Sequence, residues 1–156
     1  MSDKAQIKKI KEAAEEFFEK MTIEISGMEV SFSVDKEIEV VDMAVKAIEP
    51  QILIGQQGQT LFEIQRLLRM VLSKKMQKIF YLNLDVNEYK QKKVEYLKSL
   101  AKELADQVAL TKQEKVLLPM SSYERRVVHA ELSQRADVTT ESIGEGQDRH
   151  IIIKPK

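Results

Sequence analysis

With 156 residues the chain is long enough for one or two small domains with a proper core. It has no cysteine, which excludes disulfides, thiolate catalysis and cysteine-ligated zinc, and favours a reducing, cytoplasmic setting. The formal net charge of zero hides an asymmetry: residues 1–50 carry 7 basic and 12 acidic side chains, 51–98 carry 9 and 4, and 99–156 carry 9 of each. A basic middle on a neutral chain suggests a local surface facing a polyanion, although lysine-rich solvated helix faces account for the charge equally well.

The first residues open directly into a charged helix, with no signal peptide and no apolar run long enough to span a bilayer. Asp3 caps a predicted helix to about Met21, whose one face holds Ile7, Ile10, Ala14, Phe17, Phe18 and Met21. The segment from Thr22 to Asp35 alternates like a strand but shifts phase at Gly27, as a bulge would require. Residues 36–48 read as its partner strand, with a turn around Asp35 and Lys36. Pro50 interrupts, and a short apolar turn leads to Gly55-Gln56-Gln57-Gly58. A helix then starts at Gln59 or Thr60, with Leu61, Ile64, Leu67, Leu68, Val71 and Leu72 expected to face inward. A third strand, in which Phe80, Leu82 and Leu84 alternate, completes a three-stranded sheet covered on one face.

A second long helix is predicted from about Asn87 to Leu110, with Tyr89, Val94, Leu97, Leu100, Leu104 and Val108 at helical spacing. A short strand ends at Pro119, and Ser121 with Glu124 forms a capping-box pattern for a helix through Leu132. Two last strands, 136–143 and 149–155, join around Gly144 and Gly146 as a hairpin.

Gly55 and Gly58 precede a helix amino end, where unpaired N–H groups and the positive end of the helix dipole suit a phosphate. Glycine lets a sugar-phosphate backbone approach closely, but many tight turns share a Gly-x-x-Gly spacing. The apolar run before the loop and the basic helix after it, with Arg66, Arg69, Lys74 and Lys75, fit a nucleotide-clamping loop beside an apolar groove. A Walker-type loop does not fit, because the glycine spacing is wrong and no lysine precedes Thr60. Arg125 and His129 lie one helical turn apart and can hold a phosphate between them, or equally pair with Glu124 or solvent; Arg126 lies on an adjacent face. Two histidines outside any metal-ligand spacing, and a serine segment at 141–146 without a nucleophile-elbow setting, leave no catalytic or metal site and no cofactor to expect.

The stretch 52–68, followed by 82–105, resembles the KH domain and joining helix of the Jag (SpoIIIJ-associated) family of bacterial RNA-binding proteins. The stretches 119–132 and 142–155 resemble that family's second domain, named for its Arg-x-x-x-His motif. The resemblance covers about residues 15–156. It implies an α+β chain: a type II KH-like three-stranded sheet with helices over 1–86, joined by a long helix to a small α+β RxxxH domain within 87–156. Carried over by position, the RNA-binding residues are Gly55, Gln56, Gln57, Gly58, Gln59, Arg66, Arg69, Arg125, Arg126, His129 and Arg149. KH loops usually place a basic residue between their glycines, whereas Gln56 and Gln57 are neutral.

The implied function is non-enzymatic binding of single-stranded RNA, with single-stranded DNA as an alternative ligand, in a post-transcriptional regulator or RNA chaperone. Pairing with itself or another KH protein is a further implication, and membrane insertion is not expected. The alternative is a protein-interaction adaptor that keeps KH geometry with little RNA affinity. A nuclease is a distant third.

Overall fold

The computed structural model describes residues 3–156 and divides the chain into two compact units, Met1–Lys90 and Gln91–Lys156. Unit 1 runs α1 (Asp3–Lys20), β1 (Ile25–Asp35), β2 (Ile38–Ala47), α2 (Pro50–Ile54), a 3-10 turn (Gln56–Gly58), α3 (Gln59–Met76) and β3 (Tyr81–Val86). α4 (Tyr89–Thr111) begins at its end. Unit 2 continues with β4 (Lys115–Val116), α5 (Ser122–Leu132), β5 (Val138–Ile143), a 3-10 turn (Gly146–Asp148) and β6 (His150–Pro155). Both units are α+β.

In unit 1, β2 is central, antiparallel to β1 and parallel to β3. The irregularity expected at Gly27 is present, between Ile25 and Gly27. The β1–β2 turn is centred one residue later than expected: Asp35 pairs with Ile38, and both Lys36 and Glu37 have positive φ. Such a two-residue loop matches the twist of its strands. Parallel pairing of β2 with β3 requires a crossover, which α2, the glycine loop and α3 supply.

Alternation along the strands sends Val41, Met43, Val45, Leu82, Leu84 and Val86 into the core. Against them pack Ile10, Ala14 and Phe18 of α1 and Leu61, Ile64, Leu68 and Leu72 of α3. Leu67 departs from the expected inward list and is 49% exposed. A helix advances about 100° per residue, so Leu67 and Leu68 cannot both point at one core stripe, and the stripe runs through Leu68. Phe80 is buried as expected but lies just before β3.

Unit 2 is a three-stranded antiparallel sheet in the order β4-β6-β5. Ile151 and Ile153 of β6 and Val138 of β5 pack against Leu97, Ala101, Ala105 and Val108 of α4 and Val128 and Leu132 of α5. Ala101 and Ala105 let the α4 backbone approach closely. β4 has only two residues, but the N–H of Leu117 donates to the Ile151 carbonyl (2.9 Å) and extends the pairing. The capping box is present: the N–H of Glu124 donates to the Ser121 hydroxyl and the N–H of Ser121 to the Glu124 carboxylate, both at 3.2 Å. These bonds satisfy amide donors at the start of α5. Among the described residues no helix is long and apolar enough to cross a membrane, and no group of histidine, aspartate and glutamate is placed to hold a metal ion.

Candidate nucleic-acid interface

The glycine loop of unit 1 is built on conformations that side chains resist. Gly55 has φ +69°, and a Cβ there would lie 2.0 Å from the Thr60 hydroxyl and 2.6 Å from the Thr60 Cβ. Gly58 has φ +77°, and its Cβ would press on the Tyr89 ring at 3.0 Å. Thr60 and Tyr89 thus hold the loop against the body of the unit, and both positions require glycine. Between them Gln57 also lies in the left-handed region, at φ 57° and ψ 22°, a conformation that costs about 1–2 kcal/mol for a residue with a side chain. Strain of this kind persists only where the surroundings enforce it.

Gly58 is the amino-terminal cap residue of the 18-residue α3, and no side chain caps that end. Open N–H groups and the positive end of the helix dipole therefore face outward beside an exposed Gln56 and Gln57. The Gln59 amide donates to Glu63 at 3.4 Å. Of the apolar residues flanking the loop, Leu53 and Leu61 are core, Ile54 is half-buried and Ile52 is exposed.

Along the outer face of α3, Arg66 is exposed, and exposed Phe62 and Met70 flank it at four-residue spacing. Arg69 is fixed instead: its Nε donates to the Phe80 carbonyl (3.1 Å) and its guanidinium lies 5.2 Å from the Tyr81 ring centroid. One turn earlier the Gln65 carbonyl accepts from the Leu84 N–H (3.0 Å) and from the Lys90 ammonium (3.1 Å). Lys90 also donates to Asn83 at 2.6 Å. Burial pushes the Lys90 ammonium below its ordinary pKa, against the pull of Asp85 and Asp42. Gln65 and Arg69 together bridge α3 to the outer edge of β3.

In unit 2 the cations are already engaged. The Arg125 guanidinium donates to the Met120 carbonyl (2.7 Å), and the Arg126 Nε to the Ser122 carbonyl (3.4 Å). Arg149 donates to the Gly144 carbonyl (2.7 Å) and braces the β5–β6 turn. The His129 Nδ1 meets the Thr140 hydroxyl of β5 in a short contact. The pairing with Glu124 that the spacing also allowed is not made, because the Glu124 carboxylate serves the helix cap. Arg125 keeps other guanidinium N–H groups, and the His129 Nε2 has no protein partner among the described residues, so both can still donate to an anion.

Residues 95–155 match the R-3-H domain, in which the numeral stands for the three residues of an RxxxH spacing. The match lies within unit 2 and includes Arg125, His129 and Arg149. Most of the chain is also similar to curated relatives named RNA-binding protein KhpB. The one from Clostridium symbiosum is 34% identical over 145 residues, covering 93% of this chain and 64% of its own length. That of Bacillus subtilis is 39% identical over 107 residues, covering 67% and 51%. That of Streptococcus pneumoniae strain D39 is 28% identical over 131 residues, covering 84% and 40%. The chain thus spans between two fifths and two thirds of the length of these relatives.

Thr60, Gln65, Tyr81, Tyr89, Lys90 and Thr140 shape the site without standing among the residues that the sequence singled out. Tyr89 was visible only as a core residue at helical spacing. Gln65, Tyr81 and Thr140 act through contacts between distant elements and leave no local signal.

Proposed function

We propose that the chain binds single-stranded nucleic acid, RNA above all, with unit 1 acting as a type II KH-like domain and the RxxxH segment as a second contact. The domain division proposed is 1–86 for the KH domain and 87–156 for the joining helix and RxxxH domain. The observation that carries the reading is the Gly55–Gly58 loop at the uncapped amino end of α3, held in a shape that two glycines allow. The α-β-β-α-α-β order, the mixed sheet and the RNA-binding name of the relatives support it.

The loop fixes the sugar-phosphate backbone through backbone N–H groups and the neutral amides of Gln56 and Gln57. Arg66 and the α3 face carry the strand onward, and splayed bases lie against apolar surface. In unit 2, Arg125, Arg126, His129 and Arg149 add donors, with Thr140 setting the His129 ring. The role is non-enzymatic and cytoplasmic, that of a post-transcriptional regulator or RNA chaperone, with pairing to itself or to another KH protein a further part of the proposal.

The test is a titration with one RNA sequence in single-stranded and duplex form. The single strand binds better, because the groove reads unstacked bases. Equal or tighter binding of the duplex contradicts the KH reading, and absence of binding to either leaves the protein-interaction adaptor as the better account.

A further inference from the structure

At the end of unit 1 where β3 starts lies an open pocket of about 400 Å³, within the roughly 300–1,000 Å³ span of small-ligand sites. Ile38, Ile79, Phe80 and Tyr81 line it together with Arg69, and Glu37 and Glu39 form its rim. Ile79 is 85% exposed, although it adjoins the buried Phe80, and Tyr81 is 51% exposed. Leaving a large apolar side chain and half a tyrosine in water costs burial free energy that the core forgoes.

The geometry points to a stacking site for one nucleobase of the bound single strand, built on Tyr81, Arg69 and Ile79. This inference rests on the RNA-binding reading above and extends it to a particular base position. Arg69 is pinned by the Phe80 carbonyl with its guanidinium over the tyrosine ring, so aromatic ring and guanidinium plane are held in place before any ligand arrives. Bases stack on either kind of surface, and stacking tolerates any base because each has a π face.

The charge of the pocket selects a base over a phosphate. The Arg69 guanidinium is committed to the carbonyl and the ring, the Lys78 ammonium is paired with Glu39, and Glu37 adds a second carboxylate at the rim. A phosphate would meet two carboxylates and, among the lining residues, no uncommitted cation, whereas a neutral heterocycle meets apolar and aromatic surface. The pocket also lies on a continuous path. From Gly58 to Arg69 is eleven residues of α3, about 16 Å at helical rise, and Arg66 lies between them. A strand clamped at the glycine loop and led along α3 therefore brings a later base to Tyr81.

The experiment uses the full chain and a set of single-stranded RNA oligonucleotides of increasing length, each carrying the fluorescent base 2-aminopurine at one position in turn. The expected result is strong quenching at one position distal to the clamped nucleotides, together with a gain in affinity once the oligonucleotide reaches it. Tyr81→Leu abolishes that quenching and weakens binding of the longer oligonucleotides roughly tenfold, while the shortest bind as before. Ile79→Ser, at a residue outside the strands that carries almost no packing, weakens the longer oligonucleotides in the same direction and guards against misfolding of the Tyr81 variant. If the parent binds but quenching is independent of position, or if both variants bind every length like the parent, the pocket takes no base and the inference falls alone. If the parent binds no oligonucleotide of any length, the RNA-binding reading falls and this inference with it.

Discussion

The two units offer an anion opposite kinds of donor. Unit 1 presents a neutral loop whose geometry does the work: backbone N–H groups at an uncapped helix end, shaped by Gly55 and Gly58. Unit 2 presents side-chain charge, but Arg125, Arg126 and Arg149 each already hold a backbone carbonyl and His129 meets Thr140. Contacts from neutral donors release few counterions, whereas cationic contacts release about one per phosphate neutralised. The first unit should therefore bind with weak dependence on salt and the second with strong dependence. Disturbing shape should damage unit 1 most, and removing charge should damage unit 2 most.

The largest effect expected is from Gly55→Ala. Its Cβ would collide with Thr60 and would sit on a backbone at φ +69°. The variant should lose roughly 2–3 kcal/mol of stability and with it the loop's binding, as read by thermal melting and RNA titration. Unchanged melting would mean that the loop relaxes without cost and that its glycines are not required.

Next comes the double variant Arg125→Ala with His129→Ala. Alanine is a strong helix former, so α5 should stay folded. Loss of the Arg125 bond to Met120 should still lower stability by about 1 kcal/mol. RNA affinity should fall several-fold, and its salt dependence should become shallower by up to about one unit for each phosphate contact removed. A salt series on a variant with intact circular dichroism decides it, and unaltered affinity would remove the unit 2 cations from the interface.

Converting unit 1 to the chemistry of unit 2 tests the comparison directly. Gln57→Lys puts a cation beside the open end of α3, so binding should tighten and the salt slope steepen by up to about one unit. Aspartate at both Gln56 and Gln57 should weaken binding, since two anions then face the phosphate. If both variants melt like the parent and neither changes affinity, the loop does not touch RNA.

The smallest effect concerns an ion cluster outside either candidate interface. Glu16 bonds Lys20 and Lys75, which hold its carboxyl at about 2, below the ordinary 4.5. A depressed folded-state pKa means that the stabilisation is complete above about 4.5 and lost as pH falls toward about 2. The groups are fully exposed to water, so the effect is slight. Melting temperatures of parent and Glu16→Gln should converge on acidification across that window, and parallel curves would show that the cluster adds nothing.

The sequence made the order of helices and strands legible because each segment has a clear period. Strand alternation sorted Leu82 and Leu84 from Tyr81 and Asn83, and the capping box at Ser121 and Glu124 was readable from two residues. The Leu67 error shows the limit of that method, since a run of apolar residues on a helix does not say which of two neighbours the core takes. At the site, the glycines and cations were visible as residue types, but their engagements were not. Arg69 reads as a basic residue ready for phosphate until α3 is laid beside β3, where it meets Phe80 and Tyr81. Those partners lie more than ten residues away, and no local pattern encodes the meeting.

The bridging of α3 to the rim of β3 also bears on assembly. An outer strand ordinarily offers a rail of unpaired amides and carbonyls on which another chain can grow a sheet. Here Arg69 occupies the Phe80 carbonyl, Gln65 the Leu84 amide and the Asp85 carboxylate the Val86 amide, at 3.1, 3.0 and 2.9 Å. With its rail occupied at these points, β3 resists strand addition by a second molecule or an unfolded neighbour. Replacing Gln65 by valine would free the Leu84 amide and, in a crowded solution, give aggregation a place to start.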